Sequence, residues 1–244
     1  MQSNKILEKQ RFRQSILIPL LFLVLMWMIK LVEFTFDISL SQGGVFPRHL
    51  KGLPGILFSP FIHGDLNHLW ANSATLLVLG VSLFYFYPRV AFKTFLLSFF
   101  IGNVLLWIGG RESWHIGASG LIYAMAAFLV FSGFISKNFR LVAVSLIVVF
   151  LYGSFIWGVL PLNPDISWEG HLSGAITGAM LAFFFRKEIP RRNRFAWEEN
   201  IDDDEHYIQY RYKPPKRRKP DLVELLKRRR DKNLEHIKNK RVSK

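Results

Sequence analysis

Cysteine is absent from this chain of 244 residues. The absence excludes a disulfide framework, a thiolate nucleophile and any metal site built from cysteine ligands. The sequence also lacks the His-Glu-x-x-His signature of zinc proteases. No internal repeat and no inverted-repeat pattern typical of transporters stands out. Cysteine-protease chemistry is therefore excluded, and the helical zinc-protease motif is missing.

Charge is sparse in the first 185 residues, which hold 12 of the 32 Lys and Arg and 7 of the 18 Asp and Glu. Residues 186–244 carry the rest, and this tail accounts for +9 of the net charge of +14. The chain is 50% hydrophobic and contains 23 Phe as well as several long apolar runs. This distribution indicates a membrane-embedded core followed by a basic tail, and it argues against a soluble basic protein.

Apolar stretches that approach the roughly 20 residues needed to cross a bilayer mark the predicted helices. The first stretch is too long for a signal peptide and has no convincing cleavage site. We interpret it as a retained span in which Lys30 extends towards the membrane surface. The predicted fold class is all-α, a polytopic membrane bundle of six transmembrane helices. The predicted spans are residues 15–32, 66–88, 94–110, 116–136, 141–164 and 170–185.

Lys and Arg cluster in alternate connections between these spans, which predicts that both termini are cytoplasmic. The predicted domains are a basic cytoplasmic N-terminus over residues 1–14, a six-helix domain over 15–186 and a basic cytoplasmic tail over 187–244. The first outer loop, residues 36–60, is long and mixes Gly and Pro with apolar residues. We expect this loop to pack on the bilayer surface.

Three polar motifs begin the second, fourth and sixth spans, all of which start at the outer face in this topology. Polar and ionisable groups are costly in lipid, so their presence at one depth predicts a functional site. Serine, histidine and spare hydrogen-bond donors are also the groups needed for nucleophilic acyl transfer. The motifs are His63-Gly-Asp-Leu-Asn-His68-Leu-Trp-Ala-Asn72, Gly117-Ala-Ser119-Gly120 and Gly170-His171.

Ser119 is the candidate nucleophile. It lies near the predicted N-terminus of the fourth span, where unpaired backbone N–H groups and the helix dipole favour the anionic oxygen of a tetrahedral intermediate. The alternative is that Ser119 caps the helix and that Gly117 and Gly120 only allow close packing. The tetrapeptide is not the nucleophile elbow of soluble hydrolases, which needs a preceding strand and a Gly two residues after the Ser.

His171 is the candidate general base. Gly174 and Gly178 belong to a stripe of small residues with a period of four, and such stripes let membrane helices approach closely. If this stripe packs on the fourth span at Gly120, His171 lies against Ser119 and can take its proton. The alternative is a lone interfacial histidine beside a packing motif.

His68 and Asn72 lie four residues apart on one helix face, and both can donate hydrogen bonds to an oxyanion. His63 precedes this helix, which Asp65 and Asn67 are expected to cap. A catalytic zinc held by three histidines is the competing interpretation. We favour the oxyanion hole and predict neither a metal nor another cofactor.

Together these motifs resemble the rhomboid family of intramembrane serine proteases over about residues 15–186. The resemblance implies cleavage of single-span transmembrane proteins near the outer face of a bacterial inner membrane. One departure is Pro47-Arg48, which stands where many members have Trp-Arg. The residues that carry the resemblance are His63, His68, Asn72, Gly117, Ser119, Gly120, Tyr123, Ala124, His171, Gly174 and Gly178.

The resemblance also implies a role for each of these residues. Ser119 and His171 are implied to form a catalytic dyad with no third acid. The oxyanion is implied to be stabilised by His68, Asn72 and the backbone N–H of Ser119. Tyr123, one turn beyond Ser119, is implied to stack on His171. The supporting residues are His63, Gly117 and Gly120, with Gly174 and Gly178 in helix packing and a lateral gate around residues 155–157.

The tail contains prolines around a basic cluster at residues 216–219, which indicates a disordered linker. Residues 221–238 are predicted to form an amphipathic helix capped by Asp221. The expected partners of the tail are anionic lipid headgroups. The alternative is a solvated segment that only determines topology. Nucleic-acid binding is not expected, because the tail has no recognised module.

The sequence therefore predicts an intramembrane serine endopeptidase that acts through an acyl-enzyme. The alternative is a catalytically silent rhomboid-like protein that binds transmembrane clients, and loss of Ser119 or His171 would signal it. Both residues are present. A transporter would have polar residues that continue through the bilayer. In this sequence they stop near the outer third, apart from scattered Ser, Thr and Asn103.

Overall fold

Six long α-helices, one short α-helix and several 3₁₀ turns make up the part of the chain that the computed structural model describes, residues 2–164 and 166–190. These residues include no strand, and an isolated antiparallel bridge joins Val45 to His115. The predicted all-α fold class is confirmed. The helices are α1 Gln2–Phe36, α2 Gly55–Phe58, α3 Leu66–Phe86, α4 Ala91–Gly109, α5 Ser119–Ser136, α6 Phe139–Tyr152 and α7 Trp168–Phe184.

Five segments of the described chain are helical, long and apolar enough to cross a membrane. They are Ile6–Phe36, Leu66–Phe86, Ala91–Gly109, Ser119–Ser136 and Phe139–Val159. The predicted multi-pass membrane protein is confirmed. The count of six spans stays a prediction, because α7 has 17 residues and a length of about 26 Å, against a bilayer core of about 30 Å. The predicted tail helix 221–238 and its lipid contacts lie outside the described residues.

Several helix boundaries differ from those predicted from charge, and two of the differences bear on the site. α7 begins at Trp168 rather than at residue 170, so it includes Glu169, whose exposure is 8%. This carboxylate stays within the helix because it pairs with Arg111, with 3.5 Å between Oε1 and Nη1. α6 ends at Tyr152, and the chain continues as the 3₁₀ segment Gly153–Val159 where a helix to residue 164 was predicted.

The close pairing of α5 and α7 forms the middle of the bundle. Gly174 faces the backbone carbonyl of Gly120, and Gly178 faces that of Ala124. A Cβ at either α7 position would collide with the α5 backbone, so only glycine permits this approach. The contact brings the first turns of both helices together at one end of the bundle, which we call the site end.

α6 packs on α5 mainly through its first half. Ser145 Oγ donates to the Leu129 carbonyl over 2.8 Å, and Gly133 leaves room for that hydroxyl. Beyond Val148 the helix exposes large apolar side chains, such as Phe150 at 87%. The second half of α6 is therefore held less closely by the bundle than the first half.

The loop between α1 and α3 packs on α4 at the site end. Asn103 Nδ2 donates to the Ile56 carbonyl over 3.1 Å, and Trp107 Nε1 donates to the His49 carbonyl over 3.1 Å. The Arg48 N–H donates in turn to the Trp107 carbonyl over 2.9 Å. These bonds hold the loop against α4.

Lys30 has three polar partners, and its expected extension towards the membrane surface stays a prediction. Its ammonium lies 3.0 Å from Glu33 and donates to the carbonyls of His63 and Gly64 over 2.9 and 3.1 Å. Glu33 accepts in addition from the Leu40 N–H over 2.7 Å. Because polar partners are available inside the fold, the charge anchors α1 to the segment that precedes α3.

Candidate active site

Ser119 and His171 are in hydrogen-bond contact at the site end, although 52 positions separate them in the sequence. Ser119 is the first residue of α5, and its Oγ lies 2.9 Å from Nε2 of His171 in the first turn of α7. Ala118 occupies the N-cap position without a side-chain cap bond. The hydroxyl of Ser119 is therefore directed at the histidine rather than at its own helix.

The His171 ring is held against an aromatic stack. It lies parallel to the Tyr123 ring, with centroids 4.2 Å apart and 9° between the planes. The opposite face of Tyr123 is covered by Phe155, with centroids 4.8 Å apart. The Tyr123 hydroxyl donates to the Phe155 carbonyl over 2.9 Å, and His171 Nδ1 lies 2.9 Å from the Gly158 carbonyl. The stack joins the histidine to the 3₁₀ segment that follows α6.

Two hydrogen-bond donors from α3 lie beside the serine loop. Asn72 Nδ2 is buried and has no partner among the described residues. The His68 ring contacts Gly117, whose φ of +102° is a conformation that suits glycine. A Cβ at Gly117 would lie 2.8 Å from His68 Nε2 and 3.6 Å from Asn72 Nδ2. Both side chains therefore border the backbone that leads into Ser119.

His63 connects the segment before α3 to the residue before Ser119. Its Nε2 accepts the Ala118 N–H over 3.4 Å, while its Nδ1 lies 3.4 Å from the Phe61 carbonyl and donates to it. Burial lowers the pKa of His63 from 6.5 to about 4, and the nearby His68 acts in the same direction. The ring is therefore neutral at neutral pH, which its acceptor role at Nε2 requires.

Acidification is expected to destabilise the protein through His63. Its folded pKa of about 4 lies below the ordinary 6.5, so the stabilisation from the neutral ring is complete above about pH 6.5 and is lost as the pH falls towards 4. The full shift corresponds to about 3 kcal/mol. We expect thermal unfolding at about pH 7 and about pH 5 to differ less in His63→Gln than in wild type. An unchanged pH dependence in His63→Gln would contradict this assignment, and the exposed His49→Gln is the control.

A second histidine network holds the start of α7. The Nδ1 of His115 lies 2.6 Å from Ser167 Oγ, and its Nε2 lies 3.0 Å from the Arg111 carbonyl. Ser167 is the N-cap residue of α7, and its carbonyl accepts the His171 N–H over 3.1 Å. Burial lowers the pKa of His115 as well. The network therefore positions the turn that carries His171.

Arg111 completes this network on the loop side of α7. Its Nη2 donates to the carbonyls of Pro164 and Ile166 over 2.6 and 3.0 Å, and its Nη1 pairs with Glu169. Arg111, His115, Ser167 and Glu169 were not among the predicted site residues. Charge could have indicated Arg111 and Glu169, because both interrupt apolar runs and each needs a partner there.

A cavity of about 710 Å³ contains the predicted site residues Ser119, His171, His68, Asn72 and Tyr123. A larger cavity of about 970 Å³ lies between α4 and α7 towards the far end, and its lining is mostly apolar. The smaller cavity is the candidate site, because it alone of these two contains a serine beside a histidine. Within the described residues, no three His, Asp or Glu side chains are grouped so that they could hold a metal ion.

The fold and site define a multi-pass helical membrane protein in which a serine and a histidine from two adjacent helices are in contact. A family model described as Rhomboid domain matches residues 51–188. The chain belongs to the rhomboid family, whose members are generally intramembrane serine proteases, although some rhomboid-like proteins are inactive. The resemblance seen in the sequence is therefore confirmed.

Relatives of this chain occur in mycobacteria. Uncharacterized proteins of Mycobacterium tuberculosis and Mycobacterium bovis are each 35% identical over 182 residues, which cover 67% of this chain and 72% of the relative. An uncharacterized protein of Mycobacterium leprae is 33% identical over 190 residues, which cover 74% of each chain. These similarities support membership of the rhomboid family. The names of these relatives give no activity.

Proposed function

We propose that this protein is an intramembrane serine endopeptidase that cleaves transmembrane proteins through a dyad of Ser119 and His171. The observation that carries the proposal is the 2.9 Å contact between Ser119 Oγ and His171 Nε2. A serine beside a general base is the arrangement required for acyl transfer. The cavity around the pair gives access to a substrate and to water.

In the acylation step His171 Nε2 takes the proton of the Ser119 hydroxyl while Oγ attacks the scissile carbonyl carbon. The carbonyl oxygen becomes an oxyanion, for which the unpaired Nδ2 of Asn72, the ring of His68 and the backbone N–H of Ser119 are the candidate donors. When the tetrahedral intermediate collapses, the C–N bond breaks. His171 then gives its proton to the leaving amine, and Ser119 retains the acyl group as an ester.

Deacylation repeats these steps with water as the nucleophile. His171 Nε2 takes a proton from a water molecule as the water oxygen attacks the ester carbonyl. Collapse breaks the bond between the acyl carbon and Ser119 Oγ, and the serine recovers its proton from His171. The polar wall of the cavity, which includes His68, Asn72 and Ser113, suits this requirement for water.

We further propose that the substrates are single-span proteins and that the site lies at the outer face of a bacterial inner membrane, with both termini in the cytoplasm. The alternation of Lys and Arg supports this orientation, and the relatives are bacterial proteins. A helical backbone in lipid has no accessible peptide carbonyl. Substrates are therefore expected to contain Gly, Pro or polar residues where their helix must unwind near the cut.

Reaction of the detergent-purified protein with a fluorescent fluorophosphonate tests the proposal. The probe phosphonylates an activated serine with loss of fluoride, so we expect wild type to label and Ser119→Ala and His171→Ala to remain unlabelled. Ser82→Ala is a matched control, because the Ser82 hydroxyl bonds only its own helix at the Val78 carbonyl, over 2.7 Å. It should label like wild type.

Two outcomes would count against the protease. One is a folded wild type that never reacts with the probe, and the other is equal labelling of wild type and Ser119→Ala. In either case a rhomboid-like protein that binds transmembrane clients becomes the better explanation. Folding of each variant is checked by thermal unfolding in the same detergent.

A further inference from the structure

The His171 ring has a hydrogen-bond partner at each nitrogen. Nε2 is 2.9 Å from Ser119 Oγ, and Nδ1 is 2.9 Å from the backbone carbonyl of Gly158. Glu169 is the acidic residue nearest to His171 in sequence, and its carboxylate pairs with Arg111. Among the described residues no carboxylate is hydrogen-bonded to His171. A backbone carbonyl therefore lies where a Ser-His-Asp triad has its carboxylate.

The carbonyl determines which nitrogen of a neutral ring carries the hydrogen. A carbonyl oxygen only accepts hydrogen bonds, so the contact requires the hydrogen on Nδ1. Nε2 is then unprotonated and can accept the hydroxyl hydrogen of Ser119. The opposite tautomer would place a hydrogen on Nε2 and leave no lone pair for the serine proton.

The position of Gly158 depends on the absence of a side chain. A Cβ there would strike the Tyr123 hydroxyl and would lie 3.1 Å from His171 Nδ1. The obstacle includes the rigid Tyr123 ring, which is stacked between Phe155 and His171. Any larger residue must therefore move the carbonyl away from the histidine or displace the stack.

The segment that carries this carbonyl has few other attachments. Gly153–Val159 is a 3₁₀ segment without a buried residue, and Ile156 and Trp157 are 63% and 64% exposed. Its described bonds to the bundle are those from Tyr123 to Phe155 and from His171 to Gly158. Apart from the Phe155 ring, which stacks on Tyr123, side-chain packing holds the segment weakly, so its placement and the state of His171 depend on the same two bonds.

We propose that Gly158 is a positioning residue whose carbonyl orients His171 and selects the tautomer in which Nε2 is the base. The catalytic role of Gly158 rests on the proposed protease function. The position of segment 153–159 then affects the ability of His171 to act as the base. Moving the segment away from Tyr123 also removes the acceptor of the Nδ1 hydrogen. A protein with the segment displaced would retain the serine and the histidine but would lose the selected tautomer.

Nitrogen NMR of protein labelled with ¹⁵N-histidine tests the contact directly. At mildly alkaline pH the ring is neutral, and the two nitrogens give distinct signals according to which one is protonated. The His171 signals are assigned by their disappearance in His171→Asn. We expect wild type to carry the hydrogen on Nδ1 and Gly158→Ala to show a mixture of both tautomers. An Nε2-protonated His171 in wild type overturns the proposal, whether or not Gly158→Ala folds.

Kinetics with a single-span substrate give the second readout. We expect Gly158→Ala to lower kcat by about 10- to 100-fold with little change in KM, because the base is lost in part of the population. Gly153→Ala is the matched control in the same segment, since its Cβ would meet only Val149 Cγ1 at 4.0 Å. It should leave kcat and the tautomer unchanged.

A folded Gly158→Ala with wild-type kcat overturns the proposal, and so does a slower variant whose His171 keeps the hydrogen on Nδ1. Failure of the proposed function is distinguishable from these results. Absence of fluorophosphonate labelling in a wild type whose His171 is protonated on Nδ1 would reject the protease and leave the contact with Gly158 established.

Discussion

Ser119→Ala is expected to slow cleavage of a single-span substrate by a factor on the order of 10⁴ or more, and His171→Ala by a similar factor. Each change removes one end of the 2.9 Å contact through which, in the proposed mechanism, the nucleophile loses its proton. The double variant should be little slower than either single variant, because a serine without its base and a base without its serine perform no common step. Turnover of a purified substrate in detergent measures all three rates.

This non-additivity separates a dyad from two independent contributions. If the effects of Ser119→Ala and His171→Ala multiplied in the double variant, the two residues would be acting separately and the dyad would be wrong. Ser82→Ala is the control for serine replacement, and it should cleave at the wild-type rate. KM should change little in every variant, because neither group is needed to hold the substrate helix in the ground state.

Gly174→Ala is expected to destabilise the protein by about 3 kcal/mol or more, a large part of a typical folding free energy of about 5 to 15 kcal/mol. The added Cβ would collide with the backbone carbonyl of Gly120, which cannot rotate away as a flexible side chain can. α7 must then separate from α5, and His171 lies one turn from the point of separation. Thermal unfolding should show the loss of stability, and fluorophosphonate labelling should fall with it.

Gly102→Ala is the matched control for this prediction. Gly102 is in α4 and also faces α7, but its Cβ would meet Gly174 Cα at 3.8 Å, an ordinary contact distance. Because alanine favours a helix interior over glycine by about 0.5–1 kcal/mol, this variant should be as stable as wild type or slightly more stable. Equal loss of stability in both variants would show that the α5–α7 contact has no special requirement for glycine.

The sequence predicted the parts of this protein that depend on local patterns. Apolar runs predicted a multi-pass helical bundle, because the length of an apolar helix that crosses lipid is readable from composition. The stripe of glycines with a period of four predicted that α7 approaches α5, because small residues let membrane helices pack closely. Asp65, predicted to cap α3, does so by accepting the His68 N–H over 2.8 Å.

Local patterns failed where a charge has a distant partner. Glu169 was used as the boundary of a span, yet it lies inside α7 because Arg111 reaches it from the loop that follows α4. Lys30 was expected to extend towards the membrane surface, and the sequence did not show that it binds Glu33 and the carbonyls before α3. In both cases the sequence shows a charge in an apolar context without showing what neutralises it.

By itself, the sequence determined a multi-pass helical membrane bundle, because hydropathy and helix period are properties of neighbouring residues. The resemblance of its motifs implied the rhomboid family, which the Rhomboid domain match confirms. Only the tertiary structure decided that His115 and Arg111 secure α7 and that the Gly158 carbonyl meets His171. Every residue carries a backbone carbonyl, so no pattern of side chains distinguishes the one that folding brings within 2.9 Å of the histidine.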